Sequence, residues 1–533
     1  MPTVASSTET PPVPAPPRGL WHPRLRGPRR SDLTDAVRAV VDVGHLLRFR
    51  RATMRRRGAF AAGMTLLLLL TATAATVPAL TPGAGGDGRA FEVLLLLPTA
   101  LGAFLALAVV SATASGGGRE LLARDPAAVH PVSPTTDHLG ALLLAPLNIA
   151  WLLQVWMLLG TTAYALGWRP LLVGAQAVLL LWVLTATAVA QAFAWALESA
   201  RRLPHGVVGV RALVVGLLGA VVGLQVAGQL VATFDRIPTQ WVVIGMITGD
   251  PWVLARTLLV LLGAFLLAVV LGAVPAHVAA HRVPRDEIGV EGSSYGVRRT
   301  PRTDLGVLLR TDRASVWRAV PMRRGITVLA LGPALVAVIG NLPWSSMTVL
   351  PGLVASGGAL LFGVNAWCLD GRGALWRESL PVTAAAVFAA RAWVLAEFLL
   401  VASLVTVAVA ALRAGLPTAA ETAALVCTVV VVTVQVVAAS MRWSAARPYA
   451  VDFRSARATP APPLGMVGYS ARLAISTTFT GLLFSGLSRI PEWRISVLVA
   501  LPLLIWSAAR LHRAYRRWLE PDQRARVVTT VAV

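Results

Sequence analysis

Twelve long apolar stretches dominate this chain of 533 residues and leave few folds open to it. They run approximately over 59–80, 91–115, 139–166, 171–197, 206–233, 251–276, 325–342, 347–368, 386–412, 420–440, 466–488 and 495–511. About 20 mostly apolar residues are enough for a helix to cross a bilayer. Hydrophobic residues make up 56% of the chain and charged ones only 14%, against roughly 25% charged in a soluble domain. Lipid, not water, must face that surplus of apolar surface. The reading is an all-α polytopic membrane protein. Its first stretch is not taken as a cleaved leader, because the basic segment before it is far longer than a normal n-region and more spans follow.

The formal charge is +23, and all 48 basic residues are arginines. Without lysine there is no Walker A phosphate loop and no Schiff-base chemistry in this polypeptide. Covalent catalysis on this chain is therefore not expected, and any ATP that drives its work must bind another subunit. Ser115-Gly116-Gly117-Gly118 then reads as a flexible exit from the second span. With the N-terminus inside, Arg89, Arg169, Arg236, Arg256, Arg413, Arg489 and Arg494 fall outside, and the other 41 arginines fall inside or in the first turns of spans that start there. That is the positive-inside bias, and it puts both termini in the cytoplasm. Short arginine-bearing loops spread over the whole chain do not make a nucleic-acid stripe, so no nucleic-acid partner is expected.

A collinear duplication runs through the sequence. Asp32-Leu33 and Arg57-Gly58 precede the first span, and Asp304-Leu305 and Met322-Arg323-Arg324-Gly325 precede the seventh. Pro131-Val132-Ser133 is matched by Pro381-Val382-Thr383, Gly206-Val207-Val208-Gly209 by Gly465-Met466-Val467-Gly468, and Arg236-Ile237-Pro238 by Arg489-Ile490-Pro491. Six spans per copy keep both copies in one orientation, a parallel repeat about an axis along the membrane normal. The expected organisation is a disordered tail over 1–30, a first half over 31–276, a linker over 277–301, a second half over 302–511 and a cytoplasmic tail over 512–533.

At these residues the chain resembles the membrane subunits of ATP-binding-cassette transporters of the export class, with two six-span halves fused in one polypeptide. The resemblance implies amphipathic elbow helices over about 31–57 and 302–324, and re-entrant outer segments over Phe234–Asp250 and Ser488–Trp493. It also implies two cytoplasmic coupling segments. The first would offer Glu120, Arg124 and Asp125, with Pro126, Pro131 and Pro134 for stiffness, and would end at Ser133. The second, from Leu375 and Trp376 to Thr383, would offer Arg377 and Glu378 before Pro381. The implied partners are cytoplasmic ATP-binding subunits, two of them, and a small-molecule, peptide or lipid cargo. The implied location is a bacterial plasma membrane.

Several residues stand apart from this pattern. Glu397 lies well inside a span, where a charge costs about 2.5–3.5 kcal/mol, so it faces protein or water. It is the natural proton carrier of the alternative reading, a proton-coupled secondary transporter of six-plus-six topology. A non-transporting scaffold, or an enzyme with an intramembrane site, is the third reading, with the lack of clustered His and carboxylates within the spans standing against the enzyme. Asn148, Gln154, Gln176, Gln191, Gln225, Gln229 and Gln435 are intramembrane amides suited to interhelical hydrogen bonds. Arg211 and Arg472 can snorkel inward. His277 and His281 share a helical face, but no evident third ligand joins them, and no metal or cofactor is expected. Cys368 and Cys427 read as small buried apolar side chains.

Overall fold

A computed structural model describes residues 30–52, 57–86, 88–114, 132–147, 149–229, 232–233, 238–282, 299–371, 373–451, 461 and 463–532. Among these residues every regular element is a helix. An all-α polytopic membrane protein is what the apolar runs dictate. Among the described residues ten helical stretches are long and apolar enough to span a bilayer.

The first half begins with α1 (Arg30–Ala52), then α2 (Arg57–Thr76) and α3 (Arg89–Ala114). The expected third span is not one helix. It breaks at a 3-10 turn over Ala145–Leu147 into α4 (Pro134–Leu144) and α5 (Ile149–Leu166), because Pro146 interrupts the run. Then come α6 (Leu171–Arg201), α7 (Gly206–Val226), the short α8 (Gln240–Ile247) and α9 (Pro251–Ala280). The second half begins with α10 (Asp304–Arg318), α11 (Val320–Ile339), α12 (Trp344–Met347) and α13 (Leu350–Leu361). A 3-10 segment over Gly363–Leu369 leads to α14 (Gly373–Glu378), α15 (Ala384–Ala410) and α16 (Ala419–Ala446). Last are α17 (Pro463–Leu487), α18 (Trp493–Leu519) and α19 (Pro521–Ala532). The expected eleventh span, α17, has the length to cross but falls outside the ten. Arg472, Ser476, Thr477, Thr478 and Thr480 dilute its hydropathy.

The expected disordered tail, the coupling residues Glu120, Arg124, Asp125 and Pro131, the glycines at 116–118, Asn148 and most of the linker lie outside the described residues. Of the two segments expected outside, Phe234–Asp250 contains α8, which buries Val242, Val243 and Met246 against the first half, whereas Ser488–Trp493 is a plain turn.

Two packing relations recur. The fourth and sixth spans pair most extensively in each half, α6 with α9 and α16 with α18. Each elbow helix rests on the helix that follows a Pro-Val-Ser/Thr string, α1 on α4 and α10 on α15. Those strings do the same local work. Ser133 Oγ accepts from Thr136 N at 3.0 Å, and Thr383 Oγ1 accepts from Ala386 N at 3.2 Å, so each hydroxyl caps the helix it precedes. The halves meet along α11, which packs on α3 and α7.

Candidate functional site

The most constrained polar arrangement lies where α10, the 3-10 segment, α14 and α15 converge. It starts from a kink. Asn365 leaves helical geometry at φ −147°, ψ 67°. Asn365 Nδ2 donates to the Tyr449 carbonyl at 2.8 Å, and Ser444 Oγ on α16 accepts from Ala366 N at 2.8 Å. Ser444 in turn donates to the Gly363 carbonyl at 3.0 Å. The chain thereby leaves α13 and turns beneath the C-terminal end of α16, which carries Trp367, Cys368 and Asp370 to the foot of α15.

There Arg391, fully buried in the third turn of α15, meets Asp312 of the elbow helix, equally buried. Arg391 Nε donates to Asp312 Oδ2 at 2.9 Å, and its Nη2 donates to Asp312 Oδ1 at 3.1 Å and Asp370 Oδ1 at 2.8 Å. Its Nη1 donates to the Ala366 carbonyl. Arg377 of α14 completes the set, with Nη2 2.7 Å from Asp312 Oδ1 and 2.5 Å from Asp370 Oδ1. Two carboxylates and two guanidiniums therefore cancel in charge and share their hydrogen bonds, the condition under which ions are tolerated away from water. Burial works against the charge of Asp312, but Arg391 and Arg377 outweigh it and hold its carboxyl below the usual carboxylate range. Burial pushes the neighbouring Cys368 thiol up, which leaves it un-ionised and inert.

An aromatic wall closes the quartet. The Arg391 guanidinium stands 5.5 Å from the centre of the Trp367 ring, and Trp367 stacks on Trp518 at 3.7 Å with planes 3° apart. Trp518 Nε1 donates to the Ala384 carbonyl at 3.0 Å, pinning the end of α18 to the start of α15. Helix α19 then folds back, and Val527, Val528 and Val531 join Trp367, Ala374 and Trp518 in one apolar cluster. Arg524 Nε reaches Glu378 Oε1 at 2.5 Å. The assembly is a mechanical joint that binds four elements together.

The residues singled out in the sequence are distributed unevenly around it. Arg377 is inside the joint and Glu378 at its rim, whereas Pro381 is exposed and Thr383 is a helix cap. Leu375, Trp376 and Leu380, 54%, 77% and 50% exposed, form an apolar outer face on the same segment. Glu397 is gripped by the elbow helix, its Oε2 accepting from Arg313 Nε at 2.9 Å and Nη2 at 2.7 Å. Gln154 is half-buried on α5. Gln176 donates to the carbonyls of Ala75 and Leu159, both at 3.1 Å, and Thr480 donates to Gln435 at 3.2 Å. The His277 and His281 rings lie 4.3 Å apart with planes tilted by 39°, His281 Nδ1 reaches the His277 carbonyl, and no metal-ligand group of three forms among the described residues.

Asp312, Asp370 and Arg391 are absent from the sequence reading. A signal for Arg391 is present, a lone cation eight residues after Thr383 in an otherwise apolar run. Nothing local marks its partners, which lie 79 and 21 positions away.

A second ionic contact links the halves. Glu198, near the C-terminal end of α6, takes Arg201 and Arg202 from its own helix end at 3.5 and 3.4 Å and Arg324 of α11 at 3.3 Å. Arg202 also donates to the carbonyls of Ala279 and Arg282, and Arg282 donates back to the Ser199 carbonyl at 3.0 Å, so the ends of α6 and α9 are stapled together. A scan against family models and searches of curated proteins and of solved structures found no match to this chain.

Proposed function

We propose that this chain is the membrane-spanning subunit of an ATP-driven exporter, moving its cargo by alternating access between two six-span halves while separate cytoplasmic subunits hydrolyse ATP. The observation that carries this reading is the quartet of Asp312, Asp370, Arg377 and Arg391. A coupling segment has to pass a push on to the spans without yielding. Here α14 is joined by buried charge-assisted bonds to an elbow helix and to α15, so a displacement of α14 carries both with it. Its outer face, Leu375, Trp376 and Leu380, is the surface on which an ATPase would press.

The matching caps at Ser133 and Thr383, the matching elbow contacts and the matching pairing of fourth and sixth spans support the two-repeat organisation. The ends of α6, α9 and α11, brought together at Glu198, form the cytoplasmic closure between the halves.

The test is co-purification. An ATPase bearing a Walker motif and encoded beside this protein is expected to co-purify with it, and Trp376→Ala with Leu380→Ala is expected to release that ATPase while the chain still inserts. Transport in proteoliposomes without nucleotide, abolished by Glu397→Gln, would establish the proton-coupled reading instead.

A further inference from the structure

Glu378 is the acid that the second coupling segment offers to a partner, and here it is held by the chain's own C-terminal helix. Arg524 Nε of α19 stands 2.5 Å from Glu378 Oε1, while the Glu378 side chain stays 40% exposed. Leu375, Trp376 and Leu380 on the same short stretch are exposed too. The apolar face left open and the acid engaged by α19 are therefore neighbours.

The way α19 is held differs from the joint beneath it. The joint rests on four charges that share hydrogen bonds away from water. Helix α19 rests on Val527, Val528 and Val531, on the ion pair at Glu378, and on Arg526 Nη2 donating to the Ala445 carbonyl at 3.2 Å. An ion pair this open to water contributes little. The valines do not fill their seat, for a small cavity lined by them and by Asp370, Ala374 and Arg377 remains there, and a gap forfeits dispersion contacts on both sides. One extended residue, Glu520 at φ −68°, ψ 118°, joins α19 to α18, and Pro521 opens the new helix. Trp518, which covers the quartet by stacking on Trp367, belongs to α18.

We propose that α19 is a competitive strap on the coupling segment. Docked, it occupies Glu378 and clamps α14 against the joint. Lifted about Glu520, it leaves the quartet and the Trp367–Trp518 stack in place and frees the carboxylate beside Leu375, Trp376 and Leu380. Those four residues then form one docking surface, suited to an ATPase that presents a cation next to an apolar pocket. A partner cation has to compete with Arg524 for Glu378, so strap and ATPase each weaken the hold of the other. The inference rests on the coupling reading above and adds to it a way of switching that surface.

The test uses the full-length protein in mild detergent, with hydrogen exchange read by mass spectrometry and affinity read by titration with the co-purifying ATPase. Helix α19 is expected to exchange faster than α15 and α16. Arg524→Glu should speed the exchange of α19 alone by roughly fivefold, and Glu378→Arg added to it should restore the native rate. Arg524→Glu should also tighten ATPase binding by roughly fivefold. The charge-swapped pair keeps the strap but removes the acid, and should bind the ATPase more weakly than the native chain. Arg524→Gln should fall between the native protein and Arg524→Glu in both measurements. Exchange of α19 that Arg524→Glu leaves unchanged, or that the swap does not restore, overturns the strap. ATPase affinity lowered or unchanged by Arg524→Glu overturns the competition. An ATPase bound by neither form removes the coupling reading and the competition with it, while the exchange rates still report the strap.

Discussion

In the first half, the elbow α1 meets α4 through Val43 and Leu144, with Leu46 and Leu139 packed against them. In the second half, the elbow α10 meets α15 through Asp312–Arg391 and Arg313–Glu397. With the two Asp-Leu pairs and the two Pro-Val strings superposed, Asp312 and Arg313 correspond to Val40 and Val41, and Arg391 to Ala141. Val40 is 62% exposed and Ala141 buried. The contact is therefore aliphatic in the first half and ionic in the second, and it does not run through corresponding positions, since Val40 is exposed. The two solutions cost similar free energy when complete, because a buried ion pair and a well-packed apolar one are nearly interchangeable in stability. They differ in how they fail. An apolar joint loosens by degrees, whereas an ionic one that loses a member strands a charge.

The largest expected effect follows from that difference. Arg391→Ala leaves Asp312 and Asp370 with one guanidinium between them and should destabilise the second half by about 3–5 kcal/mol. Chemical unfolding in detergent, followed by tryptophan fluorescence, is the measurement. Adding Asp312→Val, which installs the first half's residue types, should recover part of that loss, and a double variant worse than the single would remove the ionic account of the joint. The pH dependence has a definite sign. Asp312 has a depressed pKa in the folded state, so its contribution is complete above the ordinary carboxylate pKa and is lost as pH falls through the lower folded value. The native protein should therefore show this loss only in strong acid.

The matching insult to the first half is Gly272→Ala. His138 on α4 is fully buried and donates through Nε2 to the Val269 carbonyl of α9 at 3.1 Å. A Cβ on Gly272 would stand 2.7 and 2.8 Å from the His138 ring. Overpacking of this kind should cost roughly 1–3 kcal/mol. Hydrogen exchange of α4 and α9 should rise while α15 stays protected. Loss of protection in both halves would mean that the joints are not independent.

Arg324→Gln should have a smaller effect on stability, about 1 kcal/mol, because Glu198 keeps Arg201 and Arg202. Its signature is geometric. Spin labels at Ala280 and Ala446, in a background lacking both cysteines, should report a wider spread of distances between the halves. Arg324→Lys should narrow it again. Arg524→Gln is the mildest change, below about 1 kcal/mol, since Glu378 is partly open to water. Faster proteolysis confined to α19 is the expected readout.

Much of the fold could be read in the sequence because lipid imposes a length on every span and a bias on every loop, and both are one-dimensional signals. The apolar helices follow from spacing and composition, whereas the capping roles of Ser133 and Thr383 emerge only from the fold. The break at Pro146 was legible too, but the apolar run on either side of it outweighs one proline in any hydropathy window. The joint was not legible, and the reason is physical. Arg391 is tolerated in an apolar run only because Asp312 and Asp370 reach it from segments far along the chain. Glu397 and Arg391 are both charges within one apolar helix, and the cost of burying a charge there requires a partner for each. Arg377 and Glu378 were singled out for an external partner, and both also hold internal ones.

The stacking of Trp367 on Trp518 has a consequence for how the protein is made. Arg391 leaves the ribosome 127 residues before Trp518, on the order of ten seconds earlier at typical rates of synthesis. Over that interval a half-built second copy holds its charges without their aromatic lid. A nascent chain interrupted before Trp518 would leave the joint uncovered, a feature that separates unfinished molecules from finished ones.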